Sequence, residues 1–132
     1  MPATCDDALV ELGSKLNGMI GELSAATSWV DEITELFYDQ VERSATWPSD
    51  QREWTYFDAK AHLEAECRVE RDTEIGAAFT RAHNAERAIW SKVDPLWGEI
   101  KRLKAHTARG RLIKRWARNV VLANSIVPLS PD

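Results

Sequence analysis

Eight cations crowd one short stretch of the chain: Lys101, Arg102, Lys104, Arg109, Arg111, Lys114, Arg115 and Arg118, with His106 and Trp116 among them. Guanidinium and ammonium groups at this density can grip phosphates, with steep salt dependence. An indole set among them can stack on an exposed base. The same cations can equally sit against carboxylates. Residues 1–100 carry nine Lys/Arg against twenty Asp/Glu, and residues 101–132 carry eight against one. The chain therefore supplies acid of its own, and the segment reads first as a counterpart to acidic helices of this chain or of a partner chain. A nucleic-acid contact comes second, because no named nucleic-acid-binding motif accompanies the cluster. The candidate interaction surface is Lys101, Arg102, Lys104, Arg109, Arg111, Lys114, Arg115, Trp116 and Arg118.

Other residues capable of chemistry are sparser. Asp58, His62, Glu66 and Glu70 recur at steps of four, so on a helix they line one drifting stripe. Carboxylates and imidazole at that spacing can hold a metal. Di-metal bundles, however, draw a Glu-x-x-His pair from each of two helices, and no Glu-x-x-His occurs in this chain. The stripe is expected to be a solvated face with His62 exposed, and His83 with Glu86 and Arg87 is a weaker version of it. Cys5 and Cys67 have no Cys-x-x-Cys or histidine spacing, which predicts free thiols in a reducing compartment. There is no Gly-x-Ser-x-Gly, Walker or Rossmann pattern. No catalytic, cofactor-binding or metal-binding residue is assigned, and the chain is read as a non-enzyme. Residues 1–20 lack the pattern of a signal peptide, and every apolar run is far short of the ~20 residues of a membrane span. A cytoplasmic protein with no membrane partner is expected.

The elements that must carry these residues are helices. Leu9, Leu12, Leu16, Met19, Leu23, Ala26, Val30, Ile33 and Phe37 alternate steps of three and four, a heptad seam that never changes phase. Asp6 can cap its start. Gly13, Gly18 and Gly21 weaken the helix locally without interrupting the pattern. One helix over residues 6–44 follows, ~58 Å long. Trp47-Pro48 stops it. Asp50 and Glu53 have capping-box spacing and open a second helix, expected over residues 50–93 and continuous through its polar middle, with a break near Asp72-Thr73 as the other reading. A second seam runs Ile75, Phe79, Ala82, Glu86, Ile89, Val93, Leu96, Ile100 and Leu103. Asp94-Pro95 reads as a kink or restart inside it, giving a third helix over 95–123. Residues 125–132, with Pro128 and Pro131, are expected to be a disordered tail. The fold class is all-α: an elongated antiparallel helical hairpin or three-helix bundle with coiled-coil-like seams, in a single domain over residues 1–132.

Ile100 to Arg118, IKRLKAHTARGRLIKRWAR, resembles the C-terminal region of small uncharacterised helical proteins of alphaproteobacteria and their prophages. The matching residues are Ile100, Leu103, Ala105, Thr107, Gly110, Lys114 and Ala117. Lys104 stands where that family has Pro, and the Leu after the Gly is displaced to Leu112. The resemblance implies no activity. Locally, Thr107 suits an N-cap and Gly110 a close approach. The expected function is a helical protein–protein interaction module, binding another protein or itself and fitting a mobile-element inhibitor or accessory protein. The alternative is a nucleic-acid-binding accessory protein using the basic segment.

Overall fold

The computed structural model describes residues 6–44 and 46–129. They form four α-helices and one 3-10 turn: α1 (Asp7–Ser44), the 3-10 turn Gln51–Glu53, α2 (Tyr56–Asp72), α3 (Glu74–Arg102) and α4 (Ala108–Leu122). No strand occurs among the described residues, and no helix is long and apolar enough to cross a membrane. The first seam is the inner face of α1. Leu9, Leu16, Leu23, Ala26, Val30 and Phe37 are buried, and the pattern continues to Val41.

Contacts divide the chain into two compact units, one of residues 1–26 and 86–132 and the other of residues 27–85. Each holds three helical segments around its own core. In the first, Leu9, Leu16 and Ile20 of α1 meet Val93 and Ile100 of α3 and Trp116, Ala117 and Val120 of α4. In the second, Phe37 and Val41 of α1 pack with Ala65 and Val69 of α2, and Trp47, Ile75 and Phe79 close the cluster. The Phe37 and Phe79 rings stack with centroids 4.2 Å apart.

Three expected boundaries move. The Asp50 side chain caps only the 3-10 turn, accepting from Arg52 N at 3.0 Å. The capping box belongs instead to Thr55 and Asp58, and α2 begins at Tyr56. Residues 50–93 are not one helix, because Thr73 divides α2 from α3. Its hydroxyl donates to Val69 O at 2.6 Å and accepts from Gly76 N at 3.0 Å, serving the end of one helix and the start of the next. A Cβ at position 76 would lie 2.0 Å from the Val69 carbonyl oxygen, so only glycine fits this tight junction.

Asp94-Pro95 does not restart a helix. α3 runs through Pro95 to Arg102. Proline removes one helical hydrogen bond there. Ser91, Asp94 and Pro95 are exposed, so water can serve the freed carbonyl, while Val93 and Ile100 stay fully buried. The actual break lies at Leu103–Thr107, and α4 starts at Ala108 with Thr107 as N-cap, as the sequence predicts for that residue. The expected disordered tail also differs in its described part. Residues 125–129 pack back: Trp116 Nε1 donates to Val127 O at 2.8 Å, and Leu129 N donates to Asn17 Oδ1 at 2.8 Å. Residues 130–132 lie outside the described residues.

Candidate interaction face

Asp6 anchors the basic segment. Its carboxylate is buried, 2% exposed; Asp6 stands just before α1, where its carbonyl accepts from Val10 N at 2.9 Å, while its side chain turns to the start of α4. It accepts from His106 N at 3.0 Å, from Thr107 N at 2.8 Å and from the Thr107 hydroxyl. That hydroxyl in turn accepts from Gly110 N at 3.0 Å. The Thr107 hydroxyl first, and the His106 and Thr107 amides after it, hold the Asp6 carboxyl below its ordinary value of 3.8 against the opposing effect of burial. Gly110 is the close approach the sequence suggests. A Cβ there would lie 2.1 Å from Asp6 Oδ2. A carboxylate facing the open amides at a helix start is electrostatically favoured, and here it fixes the first turn of α4 across a hundred residues of chain.

Lys114, in the second turn of α4, ties that helix to the end of α3. Its ammonium donates to Lys101 O at 3.3 Å and to Leu103 O. A cation at these carbonyls complements the negative end of α3. Lys114 is therefore half-buried and engaged, and Arg109 is half-buried and has a partner of its own.

The remaining predicted cations are presented outward. Lys101, Arg102, Lys104, Arg111, Arg115 and Arg118 are exposed. No carboxylate among the described residues lies within ion-pair distance of any of these six; the ion pairs that do occur, such as Lys15–Glu11 and Arg43–Asp39, join other residues. Their expected pairing with acidic helices of the same chain is therefore absent among the described residues. Arg111, Arg115 and Arg118 fall at steps of four and three, one stripe along the outer face of α4, continued by Leu122 at 65% exposure. Beside the stripe, Trp97, Lys101, Lys114, Arg115, Arg118 and Asn119 line an open groove of about 360 Å³. Trp97 is the half-buried apolar element of that groove.

Trp116 departs from its predicted place on this surface. It is 8% exposed, packs in the core, and its indole N–H is taken by Val127 O. The sequence reading missed Asp6, Trp97 and Asn119 as parts of this face. Asp6 had a signal, an acidic residue just before an apolar seam, but its true partner is remote in sequence.

The Asp58–Glu70 stripe is not a solvated face throughout. His62 has a side chain only 15% exposed, 3.1 Å from Glu66 and 3.7 Å from Glu42. Trp47 and Trp54 flank it, each with ring centroid 4.9 Å away. Asp58 is spent in the capping box. No group of three or more His, Cys, Asp or Glu able to hold a metal occurs among the described residues. Cys67 is a free, exposed thiol, and Cys5 lies outside the described residues. No protein-family model, curated protein or solved structure matches this chain.

Proposed function

We propose that the chain is a non-enzymatic helical protein-binding module whose working surface is the basic face of α4 and the end of α3. The observation that carries the proposal is the row Arg111, Arg115 and Arg118, exposed, without acidic partners among the described residues, on a helix held at its start by Asp6 and tied to the end of α3 by Lys114. A row of guanidinium groups spaced by one helix favours carboxylates presented at a matching spacing. Trp97 in the adjoining groove gives an apolar anchor. The fitting ligand is an acidic protein segment bearing an apolar side chain. Such a module suits an accessory or inhibitor protein of a mobile element, in keeping with the small size of the chain and its C-terminal resemblance to helical proteins of alphaproteobacteria and their prophages.

A nucleic-acid reading has one observation in its favour, the same arginine row, which spans ~10 Å along the helix. It loses the stacking platform, because Trp116 is buried. The acidic remainder of the chain also repels a polyanion.

The test is binding of a labelled Glu-rich peptide containing one Phe, compared with random-sequence duplex DNA, at about 150 mM salt. The peptide should bind, weaken with rising salt and be lost in Arg111→Glu/Arg115→Glu/Arg118→Glu. The melting point of that variant should change little, since all three side chains are exposed. DNA binding tighter than peptide binding, abolished by the same variant, would replace the protein-binding reading with the nucleic-acid one.

A further inference from the structure

The acidic partner that this basic row fits is written in the same chain. On α1, Val30, Phe37 and Val41 face the core. The opposite side carries Glu32, Glu35 and Asp39, all exposed, with Trp29 at 39%, Leu36 at 53% and Tyr38 at 40% exposure flanking them. Glu32 and Glu35 have no ion-pair partner among the described residues, and Asp39 bears only Arg43.

The spacings are complementary. Glu32, Glu35 and Asp39 follow at steps of three and then four. Read in reverse, Arg118, Arg115 and Arg111 also follow at three and then four. Two antiparallel helices rise equally per residue, so one register aligns all three pairs: Glu32 with Arg118, Glu35 with Arg115, and Asp39 with Arg111. That register also brings exposed Leu122 beside Ser28 and Trp29, joining two apolar side chains that are otherwise open to water.

We propose that the ligand of the basic face is a second copy of this chain, docked antiparallel through the outer face of α1 at residues 28–39. This rests on the protein-binding reading of the basic face and names its partner. Each copy carries both faces, so one copy's basic row can meet another's acidic row, and three ion pairs in register together offset the weakness of each exposed pair. The association is weak, concentration-dependent and salt-sensitive.

The experiment is sedimentation velocity on the full chain at ~50 and ~500 mM salt, across a concentration series. Two variants accompany it: Arg111→Glu/Arg115→Glu/Arg118→Glu, and Glu32→Lys/Glu35→Lys/Asp39→Lys, each checked for native circular dichroism. The parent should associate at low salt and dissociate at high salt. Each variant alone should sediment as a monomer, because its two faces then carry like charges. An equimolar mixture should associate again, since every contact between the two variants pairs opposite charges. A parent that stays monomeric, a mixture that stays monomeric, or association indifferent to both variants would overturn self-association. If the Glu-rich peptide still binds the monomeric parent, only the choice of partner fails; if it does not, the protein-binding reading fails as well.

Discussion

Asp6 holds a charge where water barely reaches it, and three donors from His106 and Thr107 make that tolerable. The folded carboxyl titrates below its ordinary 3.8. A depressed carboxylate adds stability that is complete above the unfolded value and disappears as pH falls through the folded one. The parent should therefore lose melting temperature as pH drops below about 4, and Asp6→Ala should be less stable near neutrality with a flatter acid limb. Parallel limbs for the two proteins would show that Asp6 does not couple to this transition. His83 is the opposite case. Its Nε2 is buried and has no partner among the described residues, and its ring meets the Phe79 ring edge-on with centroids 4.4 Å apart. Replacing an unsatisfied buried polar group by an apolar one of similar volume removes a penalty, so His83→Leu should hold or raise stability by about 1 kcal/mol in urea unfolding. A clear loss would mean that the imidazole has a bound partner, such as water.

At the level of elements, the junction between α2 and α3 shows how one side chain overrides a pattern. The polar run from Glu64 to Glu74 contains good helix formers, yet Thr73 turns its hydroxyl onto Val69 O and the backbone leaves the helix. Gly76 permits the close crossing that results. Glycine substitutions therefore differ by position. Gly76→Ala should cost roughly 1–3 kcal/mol, because the Cβ meets backbone that cannot swing aside. Gly18→Ala meets nothing within 4 Å and should raise stability by up to ~1 kcal/mol through helix propensity. Thermal melts of the two variants should move in opposite directions. Equal and small shifts would show that the junction relaxes freely.

For the molecule as a whole, the two seams supply the cores. Leu23 is fully buried at mid-seam, and Leu23→Asp should lower stability by at least ~3 kcal/mol or abolish folding, as judged by circular dichroism. A variant melting within a few degrees of the parent would show that this face is not core. Charge is divided as well. Residues 27–85 hold thirteen Asp/Glu against six Lys/Arg, while the other unit holds eight against eleven. The exposed basic row Arg111, Arg115 and Arg118 and the exposed acids Glu32, Glu35 and Asp39 thus belong to different units.

Helix type, the inner faces of α1 and α3, the Thr107 cap and the position of the cation cluster were legible in the sequence, since heptad phase, capping chemistry and charge are local properties. The ends of α2 and α3 were not. Pro95 resembled a break because a local rule counts the lost hydrogen bond but cannot count Val93 and Ile100 buried on either side. Trp116 looked like part of the charged surface because its neighbours are Arg115 and Arg118, but helical rotation turns position 116 inward while 115 and 118 stay out. The Asp6 contact with His106 and Thr107 links residues a hundred positions apart, and no sequence period encodes it. Only tertiary packing decided which cations stand without acid among the described residues and which, like Lys114, became part of the frame, because pairing depends on distance in space and not on composition.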